Sequence, residues 1–104
     1  MPSIAVEIVR FVDEHQPGFV ECQFQDAHGQ QHVVVEKVPV VTKENLWTNS
    51  RYPRPGTIAC TLERAYQDHS GRSLVTVSTE LPWHIESSTG QTKFELLSSQ
   101  VQSL

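Results

Sequence analysis

The sequence predicts an all-β domain, a small antiparallel barrel or sandwich of about six strands, and three observations carry that expectation. Apolar and polar residues alternate repeatedly, as they must where one face of a strand is buried and the other meets water. Short clusters of Gly, Pro, Asp, Asn and Ser separate the alternating segments, and no long stretch shows helical spacing. At 104 residues the chain fits one globular domain, 1–104, long enough to build a core without a metal or disulfide staple.

The first strand runs from Ile4 to Val12. Ile4, Val6 and Ile8 share one face whereas Val9 and Phe11 fall on the other, a change of phase that a β-bulge accommodates. Asp13 to Gly18 supplies a turn in which Pro17 fixes φ and Gly18 admits positive φ. From Phe19 to Asp26, Val20, Cys22 and Phe24 alternate with Glu21, Gln23 and Gln25. Ala27-His28-Gly29-Gln30 turns this strand into the Val-rich segment His32 to Val41, where Pro39 lacks a ladder donor and marks a strand end or an edge.

Val41 to Gly56 then interrupts the β pattern with a connection too long for a simple hairpin. It is expected to cross the domain with one short helical turn inside residues 42–56, over Lys43 to Trp47, with Thr42 as N-cap. Leu46 and Trp47 are expected to face inward, and Arg51, Tyr52 and Arg54 are the first candidates for binding, on a segment that Pro53 and Pro55 also make a stiff entry to the next strand. Thr57 to Gln67 resumes the alternation, Asp68 to Gly71 turns it, and Arg72 to Glu80 completes a hairpin. A last strand, Thr92 to Ser98, follows the polar turn Ser87 to Gly90, and Gln100 to Leu104 is expected to fray.

Twelve acidic against eight basic side chains give a formal charge of −4, which argues against a general nucleic-acid binder, because phosphate affinity comes from clustered Lys and Arg. Met1 to Glu7 has neither the basic start nor the apolar stretch of a signal peptide, and no apolar run approaches a membrane span. A cytoplasmic protein with no membrane association is expected. Cys22 and Cys60 fall on the apolar phase of their strands and read as small buried hydrophobes.

No catalytic, cofactor or metal motif emerges. His28 and His32 are four apart with Cys22 upstream, but Gly29 places a turn between them, and His69 and His84 have no readable relation to that turn. Asp68-His69-Ser70 spells a catalytic triad, yet consecutive turn residues point in different directions. Glu80 and Glu86 flank Trp83, which could raise a carboxyl pKa, although solvated strand-end glutamates are commoner. Phosphate-loop, dinucleotide and nucleophile-elbow motifs are missing from the sequence.

What remains is a set of recognition residues. Arg51-Tyr52-Pro53-Arg54 brackets an aromatic with two arginines, and Trp47 and Trp83 lie on irregular segments, where each either plugs an open end of the domain or anchors a partner. The partner-binding candidates are Trp47, Arg51, Tyr52, Arg54 and Trp83 with the acidic residues Glu44, Asp68, Glu80 and Glu86. In size, acidity, β content and freedom from catalytic motifs the chain resembles the immunity proteins of bacterial contact-dependent inhibition and polymorphic toxin systems. That resemblance implies a non-enzymatic inhibitor whose protein partner, a basic toxin domain, is neutralised by occlusion of its active site. Two alternatives stand beside it: a small-molecule-binding barrel or weak enzyme with a site near Trp83 and His84, and an oligomerisation module pairing through the Val33 to Val41 segment.

Overall fold

The strand β1 (Ser3–Asp13) buries Ile4, Val6 and Ile8 on one face and forms the spine of a five-stranded antiparallel sheet. The computed structural model describes residues 1–103. Against one edge of β1 lies β4 (Arg54–Ala59), paired from Ser3↔Ala59 to Ile8↔Arg54. The other edge is shared. β2 (Phe19–Gln25) pairs with β1 from Glu7 to Asp13, and the short β8 (Val101–Gln102) pairs with its first residues, Ser3 and Ile4. β3 (Gln31–Lys37) completes the order β3-β2-β1-β4.

The expected bulge in β1 is present: Ile8 faces Cys22 and Arg10 faces Glu21, so Val9 has no partner and Phe11 returns to the core side. After β3 the chain makes one helical turn, α1 (Val38–Val41), with Pro39 near its start, where a missing N–H costs nothing. The helical turn therefore precedes the 42–56 connection instead of occupying Lys43 to Trp47. Val38 and Val41 are buried by it, and that burial outweighs the preference of valine for strands. Thr42 closes this turn, its N–H donating to the Val38 carbonyl, rather than capping a later one.

The expected single strand from Thr57 to Gln67 is broken at Cys60. β4 ends in the larger sheet, the Cys60 N–H donates to the Pro2 carbonyl at 3.0 Å, and β5 (Thr61–Gln67) continues in a second, three-stranded sheet with β6 (Ser73–Ser78) and β7 (Lys93–Leu97). Ile58 and Cys60 are fully buried, whereas Leu62, in the same alternation phase, is 43% exposed because the strand has changed sheets. Among the described residues eight strands thus replace the expected six or so, in two antiparallel sheets with a sandwich-like arrangement and no closed barrel.

One cluster of buried side chains joins the sheets: Ile4, Ile8, Val20, Cys22 and Ile58 from the larger, Val75, Val77, Phe94 and Leu96 from the smaller. Both cysteines are free and buried there. Burial pushes the Cys22 thiol up to about 12, with Glu36 and Glu21 adding to it, and the Cys60 thiol up to about 11. The C-terminal segment is docked, not frayed: Val101 is 7% exposed and pairs with Ile4, while Leu104 lies outside the described residues.

Three hairpin turns share one chemistry, Asp26 to Gln30, Asp68 to Arg72 and Ser87 to Gln91. In each the first side chain accepts the amides two and four residues on, and the fourth residue is a glycine with φ of 83°, 86° or 81°. These turns also close the sheet edges. The Ala27 N–H donates to the Glu95 carbonyl of β7, and the Ser88 N–H donates to the Val33 carbonyl of β3.

Where β4 passes β1, Gly56 lets α1 come close. A Cβ at Gly56 would lie 2.8 Å from Ile8 Cδ1 and 3.1 Å from the Val41 carbonyl oxygen, and Ile8 is fully buried with nowhere to go. Gly56→Ala is therefore expected to destabilise the fold by about 1–3 kcal/mol through overpacking, measured as a lower urea midpoint with an unchanged slope.

Candidate functional site

The connection from Thr42 to Pro53 is held from beneath by Leu46, which is 5% exposed and packs in the core cluster. Its neighbour Trp47 points the other way and is 61% exposed. The backbone of Trp47 is nevertheless fixed. Its N–H donates to Ser50 Oγ at 2.9 Å, and its carbonyl accepts the Ser50 N–H at 3.1 Å and the Tyr52 hydroxyl at 2.7 Å. Earlier in the connection, Thr42 Oγ1 accepts the Glu44 amide at 3.1 Å, a side-chain turn in place of helix.

Beside Trp47 runs an open groove of about 690 Å³. Its apolar lining comes from Phe11, Pro17, Val38, Pro39 and Leu46, and its walls are the β1–β2 turn on one side and residues 42–48 on the other. Two contacts hold those walls together: the Val38 N–H donates to the Gly18 carbonyl at 3.0 Å, and Thr48 Oγ1 donates to Glu14 Oε1 at 3.4 Å. Glu14 and Glu44 face this space from opposite walls. The β1–β2 turn is itself ordered by Asp13, which accepts both the amide and the Nδ1–H of His15.

The sequence-predicted candidates divide into committed and free side chains. Tyr52 is half-buried against the core, and Arg54 donates through Nη2 to Glu44 Oε2 at 2.5 Å while its Nε is buried without a partner among the described residues. Asp68 is consumed by its own turn, accepting Ser70 N, Ser70 Oγ, Arg72 N and Arg72 Nε; the Arg72 side chain is the largest reason its carboxyl sits far below the usual range. Arg51 is exposed.

Glu80, Trp83 and Glu86 lie together on the connection between β6 and β7. Here the plug is Ile85, 2% exposed, whose N–H donates to the Thr79 carbonyl and whose carbonyl accepts Thr79 Oγ1. Glu80 accepts the Ser78 and Thr92 hydroxyls at the base. Leu81 and Trp83 project outward, 64% and 61% exposed, and His84 adopts positive φ with Nε2 3.7 Å from Glu86 Oε1. Trp47 and Trp83 therefore plug nothing; Leu46 and Ile85 do that work beside them. Neither Trp83 nor His84 lines the groove.

The histidines that suggested a ligand pair face different carboxylates. His28 Nε2 meets Glu95, and His32, 3% exposed, packs against Phe24 and Phe94 with Nε2 2.8 Å from Asp26 Oδ2. Burial opposes ionisation of Asp26, but hydrogen bonds from His32 and from the Gln30 and His28 amides together outweigh it and hold the carboxyl below its ordinary value. Among the described residues no group of three or more His, Cys, Asp or Glu is placed to hold a metal ion. No helix among them is long and apolar enough to cross a membrane.

Comparison with protein-family models, with curated proteins and with solved structures returns no significant match. The site is therefore argued from its own geometry. Sequence reasoning missed Glu14 and the Asp26–His32 pair. The second had a signal in the shared spacing Asp26-x-x-Gly29 and Asp68-x-x-Gly71; Glu14 had none, because it meets the connection across 34 residues.

Two outcomes test this division of labour. Leu46→Ala is expected to cost about 2–5 kcal/mol of stability and Trp47→Ala less than about 1 kcal/mol, read from denaturant unfolding. Because folding lowers the Asp26 pKa from 3.8, its stabilisation is complete above that value and is withdrawn as pH falls through the lower folded one. Asp26→Asn should accordingly lose less stability than the parent between neutral pH and about pH 3, and equal losses in thermal unfolding would assign the acid sensitivity elsewhere.

Proposed function

We propose that this chain is a non-enzymatic protein-binding domain, an immunity or inhibitor protein in type, acting in the cytoplasm as a monomer or weak homodimer. The observation that carries the proposal is Trp47. Its backbone is locked by three local hydrogen bonds and its indole stands in water at the rim of an apolar groove. An exposed tryptophan is costly to order at an interface unless it is already ordered, and tryptophan with arginine dominates interface energetics. Arg51 lies a few residues along the same connection, and Trp83 with Leu81 offers a second apolar projection. The formal charge of −4 suits a basic partner such as a toxin domain, whose active site the bound domain would occlude.

The oligomerisation alternative is weakened by the Ser88 N–H, which already occupies the Val33 carbonyl on the β3 edge. A ligand site at Trp83 and His84 gains no support from the groove, which lies elsewhere.

Affinity capture from the source organism with the parent chain and with Trp47→Ala tests the proposal. A specific protein retained by the parent and lost by the variant is the expected result; a partner held equally by both removes Trp47 from the contact. With that partner purified, association should slow by about tenfold or more as salt is raised across the physiological range, with dissociation changing less.

A further inference from the structure

We infer that the groove beside Trp47 receives a lysine or arginine side chain from the partner protein, an inference that rests on the protein-binding proposal. Three features of the groove select this chemistry. Its floor is apolar, formed by Phe11, Pro17, Val38, Pro39 and Leu46. Trp47 stands at its rim with a largely exposed indole. Carboxylates stand on both walls, Glu14 on the β1–β2 turn and Glu44 on the 42–48 segment, against one lining cation, Lys43.

A long cationic side chain satisfies all three at once. Its methylene stem covers the apolar floor, its charge sits over the electron-rich indole face, and its head reaches a carboxylate. Glu14 is the better acceptor of the two. Among the described residues its side chain takes part in one hydrogen bond, the long one from Thr48, whereas Glu44 shares its charge with Arg54. An acidic side chain would meet two like charges here. A purely apolar one would strip water from the carboxylates and return nothing for it. A volume of about 690 Å³ accepts a whole side chain with part of its backbone.

The walls need little rearrangement to bind. The Val38–Gly18 and Thr48–Glu14 contacts tie the β1–β2 turn to α1 and to the 42–48 segment, so the lining is positioned before any partner arrives.

The test uses the full chain, isotopically labelled, titrated with three capped tripeptides, Gly-Arg-Gly, Gly-norleucine-Gly and Gly-Glu-Gly, while the two indole N–H resonances are followed by NMR. The expected result is a saturable shift at Trp47 with Gly-Arg-Gly, little shift at Trp83, weaker binding of the norleucine peptide and none of the glutamate peptide. Glu14→Gln should weaken the arginine peptide about two- to fivefold, as loss of a partly exposed ion pair does, while Glu63→Gln on β5 leaves it unchanged. Equal shifts with arginine and norleucine, or parallel unsaturated shifts at both indoles, would overturn the inference. Failure of the two ideas is separable: a captured partner whose segment at Trp47 carries no Lys or Arg overturns this inference alone, and a partner indifferent to Trp47→Ala overturns the binding proposal beneath it.

Discussion

Ile4, Ile8, Val20 and Ile58 on one sheet and Val75, Val77 and Leu96 on the other form a single apolar layer, and every irregular feature of the chain follows from the need to enclose it. Two twisted sheets of five and three strands cover the faces of such a layer but leave its sides and ends open to water. The sides are closed by turns, through Ala27 to Glu95 and Ser88 to Val33, and by the chain itself where β4 runs on into β5 at Cys60. The remaining openings fall to the two long connections. Each supplies one aliphatic plug, Leu46 or Ile85, and each exposes a tryptophan beside it.

Apart from Arg54 Nε, the buried polar side-chain groups of the described residues find partners. His32 is the clearest case, an imidazole packed against two phenyl rings whose Nε2 reaches Asp26, itself the acceptor of two turn amides. The same turn touches the second sheet through Ala27, His28 and the guanidinium of Arg72, which donates to the Ala27 carbonyl at 3.1 Å. One turn therefore sets strand register within the larger sheet and fixes the smaller sheet against it. Thr79 plays the corresponding part for the β6–β7 connection, fully buried and bonded to Ile85 on both its backbone and its hydroxyl.

Much of this was legible wherever the deciding force is local. The alternation from Val20 to Phe24, the change of phase at Val9 and the turn at Asp68 each arise from neighbours within a few residues, and each lies where the pattern places it. The break at Cys60 was not legible, because side-chain alternation continues unbroken through a strand that changes sheets; only the fate of Leu62 betrays it. The helical turn fell on Val38 to Val41 instead of Lys43 to Trp47 for a similar reason. Propensity favours the second segment, but burial of Val38 and Val41 in the core favours the first, and burial is the larger effect. Within an irregular connection no period distinguishes inward from outward, so Leu46 and Trp47 could not be separated by position alone.

The two exposed tryptophans share the same degree of exposure, yet they are not equivalent as anchors. Trp83 sits at the tip of its connection between Pro82 and a residue at positive φ, with the fixed points Thr79 and Ile85 on either side of it. Trp47 is itself a fixed point, since the residue whose indole is exposed is the one whose amide and carbonyl are held by Ser50 and Tyr52. Ordering a flexible backbone at an interface costs free energy that one held by hydrogen bonds has already lost on folding. Half-burial of Tyr52 acquires a purpose in that light: a residue that looked like a contact in the sequence instead holds the contact in place, with its ring against the core and its hydroxyl on the Trp47 carbonyl.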